Sequence, residues 1–352
     1  MAYLPNKAIH PGKTISSVLE REGISQKSLS ERTGLSEKHI SQIINGEASI
    51  TIETSLLFEN ALGGSASFWI NIEKNFQETK ARLDRQALMK KEIGLVSPYP
   101  YNELSKRGYV EPTSNPEKKV ENLWKFFGVN SLLSVRATEE VAFRKKEVPG
   151  LKNEVIATWL RCGEIEAKKI KVQQFSESAL KKALAELREI TVNPAEEFSV
   201  QAQNILAQAG VSLVYVPHFK GMRVNGATRW FNENPVLQLS LLWSYADIFW
   251  FTLFHEIGHI LLHGKKEQFI EFSDKDTSAD KEKQADELAT DRLISKEAYA
   301  GFVKTGDFSP PAIHKFAVSE KIHHGIVAGR LCHEKKAGWK DVAKLRNRLR
   351  FA

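Results

Sequence analysis

The sequence predicts a multidomain protein in which a small all-α domain precedes a larger, mainly helical α+β domain with a small sheet. Residues 12–75 show the spacing of a run of short helices, and stretches typical of strands begin only after residue 210. The chain has 352 residues, of which 42% are hydrophobic and 26% are charged, so it can bury two or three cores. This composition excludes a collagen-like chain and a chain that is disordered throughout.

Charge, cysteine content and apolar stretches indicate the compartment in which the protein is expected. The net charge is +7, yet residues 1–80 hold eight basic and nine acidic residues, so the basic excess lies later in the chain. The two cysteines cannot form a disulfide framework and make no CxxC pair, which is typical of a reducing compartment. The N-terminus lacks the apolar segment of a signal peptide, and the longest apolar stretch, Ile248–Leu262, is interrupted by polar side chains. We therefore expect a cytoplasmic protein that makes no membrane contact.

The N-terminal domain is predicted at residues 1–78, and its central feature is the segment Ile24–Ile44. Ser25 and Ser36 are placed to cap two short helices, and Gly34 permits a tight turn between them. Two short helices joined by such a turn form the helix-turn-helix pattern. Flanking helices are predicted at Thr14–Glu22, Thr51–Leu62 and Ser65–Asn75.

Five short stretches of this domain match a known family pattern. They are His10-Pro11-Gly12, Gly23-Ile24-Ser25-Gln26, Leu35-Ser36, Ile43-Ile44-Asn45-Gly46 and Phe68-Trp69-Ile70. With these stretches, residues 9–78 resemble the HigA family of antitoxins and, more broadly, the lambda-repressor-like regulators. One departure is Ser30, where the family usually has alanine; serine is small enough to keep the helix crossing close.

The resemblance implies that the helix Ser36–Ile44 enters the major groove of DNA, with side chains near its N-terminus at base edges. Gln26, at the start of the preceding helix, would bind phosphate. The implied base-contacting residues are Glu37, Lys38, His39 and Gln42. The slightly negative charge of this domain leaves a second interpretation open, in which these are exposed polar residues of a small helical bundle. The expected partner is a DNA operator, and paired half-sites favour a homodimer.

The middle of the chain carries less information about function. Residues 79–116 are interpreted as a linker helix and loops, because proline-containing breaks occur at Ser97–Pro100 and at Pro112–Pro116. Residues 117–210 are predicted to be helical. Aromatic side chains recur there at helical spacing, which is more typical of an ordinary core than of a cofactor pocket.

The second domain is predicted to begin with a small sheet. Its strands are predicted at residues 211–216, 226–231 and 236–241. The last of these is either an edge that an extended substrate could join or a purely internal strand. A long apolar helix, Tyr245–His263, follows and is ended by Gly264. Residues 301–352 are predicted to form C-terminal helices with a basic tail, which is either a solvated surface or a nucleic-acid contact.

The long helix carries the strongest chemical signal, His255-Glu256-Ile257-Gly258-His259. Histidines four residues apart share a helix face and can bind one metal ion, and Glu256 can reach a water molecule there. The alternative is a pair of core histidines bonded to the backbone. His263 cannot join His255 at one ion, because eight helical residues span about 12 Å. A third ligand must therefore come from another segment, and Glu282 and Asp286 share a predicted helix face.

Residues 211–300, with HExxH and the later stretch Glu282-Lys283-Gln284-Ala285-Asp286, resemble the ImmA/IrrE family of metallopeptidases. The resemblance implies a zincin-like core in which His255, His259 and Glu282 bind zinc (Zn²⁺) and Glu256 acts as general base. Asp286 stands where the family commonly has asparagine. It could orient a ligand histidine or replace Glu282 as the ligand.

Together the two resemblances imply a DNA-binding transcriptional regulator with a fused zinc-dependent endopeptidase. Its substrate would be a regulatory protein such as a repressor, or the chain itself. The alternative is an antitoxin-like repressor that binds a toxin partner and has a non-catalytic or structural metal site. An intact general base favours catalysis, because a structural zinc site needs ligands only. The group that stabilises the oxyanion stays open among Tyr245, His218, Arg229 and His323.

Overall fold

The computed structural model describes most of the chain as two compact units. The first contains Met1–Gly94 and Ser114–Glu121, and the second contains Leu95–Thr113 and Asn122–Ala352. Among the described helices, none combines the length and the apolar character that crossing a bilayer requires. The described residues are 5–135, 152–192, 198–240, 242, 245–263, 269–272, 280–346 and 348–349.

The first unit contains a bundle of helices around one apolar core. Serine or threonine side chains cap the second to fifth helices, because each hydroxyl accepts a hydrogen bond from a backbone N–H of the first turn. Ser25 and Ser36 are among these caps, as predicted. Ile15, Leu29 and Trp69 lie in the core. The helices are α1 (Pro11–Glu22), α2 (Gln26–Thr33), α3 (Glu37–Asn45), α4 (Ile52–Leu62) and α5 (Ala66–Glu92).

Two helix boundaries in this unit differ from the prediction. Helix α1 begins at Pro11 rather than Thr14, because the His10 imidazole accepts a hydrogen bond from the Gly12 N–H at 2.9 Å and so caps the helix. Helix α5 runs for 27 residues to Glu92, so the segment predicted to end at Asn75 is only its first part. The predicted domain boundary after residue 78 falls inside this helix, which contains no glycine or proline to end it.

The second unit is built on a four-stranded sheet with the order β1-β3-β2-β4. Strand β3 pairs in parallel with β1 and antiparallel with β2, and β2 also pairs antiparallel with β4. The suggestion that the third strand is a free edge is therefore wrong, since both of its sides are paired. The strands are β1 (Ser212–Tyr215), β2 (Val224–Phe231), β3 (Asn234–Leu239) and β4 (Phe269–Phe272).

The remaining helices precede and follow these strands along the chain. The predicted long helix is present as Ala246–His263 and the predicted stop at Gly264 lies outside the described residues. In chain order the helices are α6 (Tyr101–Lys106), α7 (Pro116–Phe127), α8 (Asn153–Ala167), α9 (Glu177–Glu189), α10 (Phe198–Gln208), α11 (Ala246–His263), α12 (Asp280–Leu293), α13 (Lys296–Lys304), α14 (Pro310–Glu320) and α15 (His324–His333).

Helices α8 and α11 cover opposite faces of the sheet. On the α8 side, the Gln238 amide donates a hydrogen bond to the Trp159 carbonyl at 2.7 Å. On the α11 side, Leu237 and Leu239 pack into the core with side chains of α11 such as Phe249. Helix α11 also packs against α12 and α15. Because neighbours surround it, its sequence is apolar on nearly every side.

The segment after α15 packs on the start of α11. The Arg346 guanidinium donates to the Asp247 carboxylate at 2.8–2.9 Å and lies over the ring of Tyr245. Tyr245 and Arg348 form an isolated antiparallel bridge, and Val342 is fully buried. Part of the predicted basic tail thus makes intramolecular contacts with the helix that carries HExxH.

Candidate metal centre and nucleic-acid interface

His255 and His259 lie one turn apart on α11, and their imidazole rings are in contact. The side chains are only 2% and 1% exposed. Their Nε2 atoms are 2.9 Å apart, because residues four apart on a helix lie one above the other. The two imidazoles therefore offer two nitrogen ligands to the same point.

Helix α12 adds a carboxylate to this pair. Glu282 Oε2 lies 3.2 Å from His255 Nε2 and 3.5 Å from His259 Nε2. The two helices approach closely at Gly258, where a Cβ atom would lie 3.1 Å from the Ala285 Cα. Among the described residues, His255, His259 and Glu282 form the one group of at least three His, Cys, Asp or Glu side chains whose ligand atoms lie within 4.8 Å of one another.

Asp286 occupies a different position from Glu282. Its Oδ1 is 2.9 Å from His255 Nδ1, on the opposite side of the imidazole ring from Nε2. This contact fixes the ring orientation and favours the tautomer in which Nε2 is free to bind a metal. The structure therefore brings Glu282, and not Asp286, to the two Nε2 atoms.

The electrostatic environment suits metal ligands. Burial lowers the pKa of His259 to about 4, so this imidazole is neutral near pH 7, the form that binds metal. Burial alone would raise the pKa of the Glu282 carboxyl, but its close contacts with the His255 and His259 imidazoles outweigh this effect and lower the pKa. Glu282 is therefore ionised.

Glu256 is fully buried against strand β2. The Thr228 hydroxyl donates a hydrogen bond to Glu256 Oε2 at 2.5 Å. A Cβ atom at Gly226 would lie 2.5 Å from Glu256 Oε1, so only glycine fits here without displacing the carboxylate. Neither Thr228 nor Gly226 was identified from the sequence. The signal that could have found them is a glycine inside a predicted strand, which often marks a close approach.

Other candidate residues lie apart from this group or have other roles. His263 Nε2 is 3.0 Å from the Lys281 carbonyl oxygen, and it is not part of the ligand group. Arg229 donates to the Leu160 carbonyl at 2.6 Å on the α8 side of the sheet. His323 is 4% exposed and caps α15 by accepting from the Gly325 N–H at 3.0 Å.

Tyr245 and His218 also gain no support as oxyanion-stabilising groups. Tyr245 precedes His255 by ten residues, about 15 Å along a helix axis, and it contacts Arg348. The carbonyl of His218 accepts from Arg107 at 2.8 Å, and burial lowers the pKa of its imidazole.

In the first unit, α3 presents a polar face to solvent. Ile40 and Ile43 are buried, so at 100° per residue the opposite face carries Lys38, Ser41, Gln42 and Asn45. The Asn45 amide donates to the Ser41 hydroxyl at 3.2 Å. The residues expected from the sequence to contact bases include Lys38 and Gln42 but not Ser41 and Asn45, which helical spacing places on the same face. Glu37 is exposed beside this face, His39 is half-buried at its other side, and Gln26 is exposed at the start of α2.

The turn between α2 and α3 is held by hydroxyl groups. Ser30, the departure from the family's alanine, donates to the Leu35 carbonyl at 2.5 Å. Thr33 donates to the Leu29 carbonyl at 2.7 Å. The serine therefore ties α2 to the turn in addition to keeping the helix crossing close.

Two family models match the chain in agreement with this geometry. A helix-turn-helix model matches residues 15–69, and a model of the IrrE N-terminal-like domain, peptidase M78, matches residues 224–320. The chain carries both domains. Both expected resemblances and the predicted fold class are thereby confirmed. The IrrE-like domain contains HExxH and Glu282, and the helix-turn-helix domain contains the polar face of α3.

Each of the similar proteins reported next covers less than a third of this chain. Virulence-associated protein I of Dichelobacter nodosus is 29% identical over 82 residues, which are 23% of this chain and 76% of that protein. A putative antidote protein of a plasmid maintenance system from Nostoc punctiforme is 28% identical, covers 26% of this chain and 96% of its own, and has a TM-score of 0.23. An addiction module antidote protein of the HigA family from Coxiella burnetii is 21% identical, with 30% and 99% covered and a TM-score of 0.21.

Proposed function

We propose that this protein is a DNA-binding transcriptional regulator with a fused zinc-dependent endopeptidase that cleaves a regulatory protein, such as a repressor, or the chain itself. The observation that carries this proposal is the triangle of His255, His259 and Glu282 donor atoms next to the buried carboxylate of Glu256. A site with a dedicated acid–base group beside three ligands is suited to catalysis.

The donor set fits a zinc ion. The sides of the triangle are 2.9, 3.2 and 3.5 Å, close to the separation of about 3.3 Å between ligands in a tetrahedron with bonds of about 2.0–2.1 Å. Two histidines and one glutamate form a ligand set typical of catalytic zinc. His255 and His259 would bind through Nε2 and Glu282 through Oε2.

Each residue around this triangle then has a defined task. A zinc ion held there would act as a Lewis acid toward water and the peptide carbonyl. Glu256 takes a proton from the attacking water and passes it to the leaving amine as the C–N bond breaks. Thr228 fixes the carboxylate of Glu256, and Asp286 fixes the ring of His255.

The helix-turn-helix domain directs this activity to DNA. The α3 face formed by Lys38, Ser41, Gln42 and Asn45 would lie in the major groove of an operator, with Gln26 at a phosphate. A homodimer would place two such faces at paired half-sites. Contacts with base edges would then supply specificity, since the domain has little net charge to bind DNA nonspecifically.

The test of the endopeptidase is the substitution Glu256→Gln in the full chain. We expect this variant to retain zinc and DNA binding and to lose peptide cleavage, because the amide cannot accept the proton. Zinc is measured by mass spectrometry, and cleavage is measured on a proteome-derived peptide library. Cleavage that persists in Glu256→Gln would contradict the mechanism. A wild-type protein that holds zinc but cleaves nothing would favour the antitoxin-like repressor with a structural metal site.

A further inference from the structure

A small pocket lies between α11 and the neighbouring strands β2 and β3. We call it the amide pocket. Its volume is about 20 Å³, which is room for one or two groups of the size of a water molecule. The residues that line it include Asn225, Leu239, Ser240, Ile248 and Thr252.

The amide pocket continues the α11 face that carries the metal ligands. Ile248, Thr252, His255 and His259 follow one another at intervals of four, three and four residues, so their side chains form one stripe. Thr252 precedes His255 by about 4.5 Å along the helix axis. A substrate held at the metal ligands can therefore reach the pocket with an adjacent residue.

Strand β2 presents Asn225 to this pocket through a bulge. Val224 pairs with Phe272 and Gly226 pairs with Glu271, so Asn225 is an extra residue without a partner position on β4. A bulge redirects the side chain of the extra residue. The next residue, Gly226, is the one that lies against the Glu256 carboxylate, so Asn225 is the chain neighbour of the residue that meets the proposed general base.

The pocket also has an unused hydrogen-bond acceptor. The side-chain oxygen of Asn225 is buried and has no hydrogen-bond partner among the described residues. Ser240 and Thr252, which are 0% and 5% exposed, add hydroxyl groups to the lining. A buried acceptor without a donor is unfavourable, and a ligand that donates a hydrogen bond at this point removes that penalty.

We propose that the amide pocket binds the side chain of the substrate residue next to the cleaved bond and selects serine. This inference rests on the proposed endopeptidase function. The serine hydroxyl donates to the Asn225 oxygen, and the small volume excludes longer and aromatic side chains. The substrate class is therefore a protein or peptide segment with serine on one side of the scissile bond.

The experiment compares cleavage sites in a proteome-derived peptide library treated with the zinc-loaded full chain. Glu256→Gln identifies background cleavage, and mass spectrometry reads the residues beside each new terminus. We expect serine to be enriched at one position about fivefold or more, the value of one hydrogen bond. Asn225→Ala should remove this enrichment. The matched control is Asn204→Ala, at an exposed position on α10, which should leave the enrichment unchanged.

A second variant tests the volume of the pocket independently. Thr252→Leu should fill the space and shift the preference from serine to glycine. If the wild type cleaves peptides without serine enrichment, or if both pocket variants keep the wild-type preference, the amide pocket is not the selecting site and the endopeptidase function stands. If the wild type cleaves no peptide, the proposed function itself fails and this inference fails with it.

Discussion

The imidazole of His255 has a partner on each nitrogen, and both partners come from one helix. Glu282 faces Nε2 and Asp286 faces Nδ1, at 3.2 and 2.9 Å. The sequence left open which acid is the ligand, because four-residue spacing puts both on the same face of α12. Only the placement of α12 against Gly258 separates their roles. Zinc binding by this group stays a prediction.

Thr228 provides a test at the residue scale, because its hydroxyl holds the Glu256 carboxylate at 2.5 Å. We expect Thr228→Val to lower kcat by about tenfold to a hundredfold with little change in KM, since the base loses its orientation and not its substrate. The Thr228→Ser variant should restore kcat, because it keeps the hydroxyl. Both are assayed on a library peptide that the wild type cleaves. Equal kcat values in Val and Ser variants would show that the hydroxyl has no part in positioning Glu256.

His323 gives a pH dependence to the stability of the second unit. Burial, followed by the neighbouring His324, lowers the pKa of His323 to about 4, whereas a free histidine titrates near 6.5. Between about pH 6.5 and pH 4, His323 is therefore protonated in the unfolded chain but neutral in the folded chain. The free energy of unfolding falls over that range by up to about 3 kcal/mol as the pH is lowered.

The measurement is urea unfolding at pH 7 and pH 5 for the wild type and His323→Asn. Asparagine can still cap α15 but does not titrate, so the loss of stability between the two pH values should be smaller in the variant. An identical loss in both proteins would mean that His323 contributes nothing to it.

At the scale of elements, capping residues and apolar runs in the sequence predicted the helices well but predicted the pairing of strands poorly. Serine caps and the glycine turn predicted α2 and α3, and the apolar run predicted α11. Strand β4 was not predicted, and the internal position of β3 stayed open, because both depend on pairing between segments distant in sequence. The same holds for Thr228, which reaches the site only because β2 lies over α11.

Helix α3 gives a prediction for DNA binding. We expect Asn45→Ala to weaken binding by about tenfold to a hundredfold if it contacts a base edge, and Lys38→Ala to reduce the salt dependence of binding by about one phosphate contact. The probe is a DNA fragment selected by the wild type from a random pool. Lys80→Ala, exposed on α5 outside the matched domain, is the charge-matched control. If Lys38→Ala and Lys80→Ala behave alike, α3 is not the reading helix.

At the scale of the whole molecule, the chain contains two compact units, whereas the sequence placed the first boundary after residue 78. Helical periodicity is local and continues without a break through that position, so it cannot show where one core ends and another begins. The boundaries of the two domains were therefore harder to predict than their types, for which HExxH and the helix-turn-helix stretches were sufficient.

Metal removal should affect the thermal stability of the second unit and not that of the first. Because the ligand triangle lies in the second unit, a chelator is expected to lower the thermal transition of that unit by several degrees and leave that of the first unit unchanged. Differential scanning calorimetry resolves the transitions. The Glu282→Gln variant, which loses a ligand, should respond less than the wild type. A shift of the first transition, or none in either, would argue against a metal bound at this triangle.

The segment after α15 has a consequence for the order of events during protein synthesis. Arg346, which neutralises Asp247 at the start of α11, follows it by 99 residues. A nascent chain thus contains HExxH well before it contains the residues that fasten the first turn of the helix, whereas every residue of the DNA-binding unit has been made by Glu121. Growing chains fold their earlier domains first, so we expect the helix-turn-helix unit to fold before the candidate metal centre is complete.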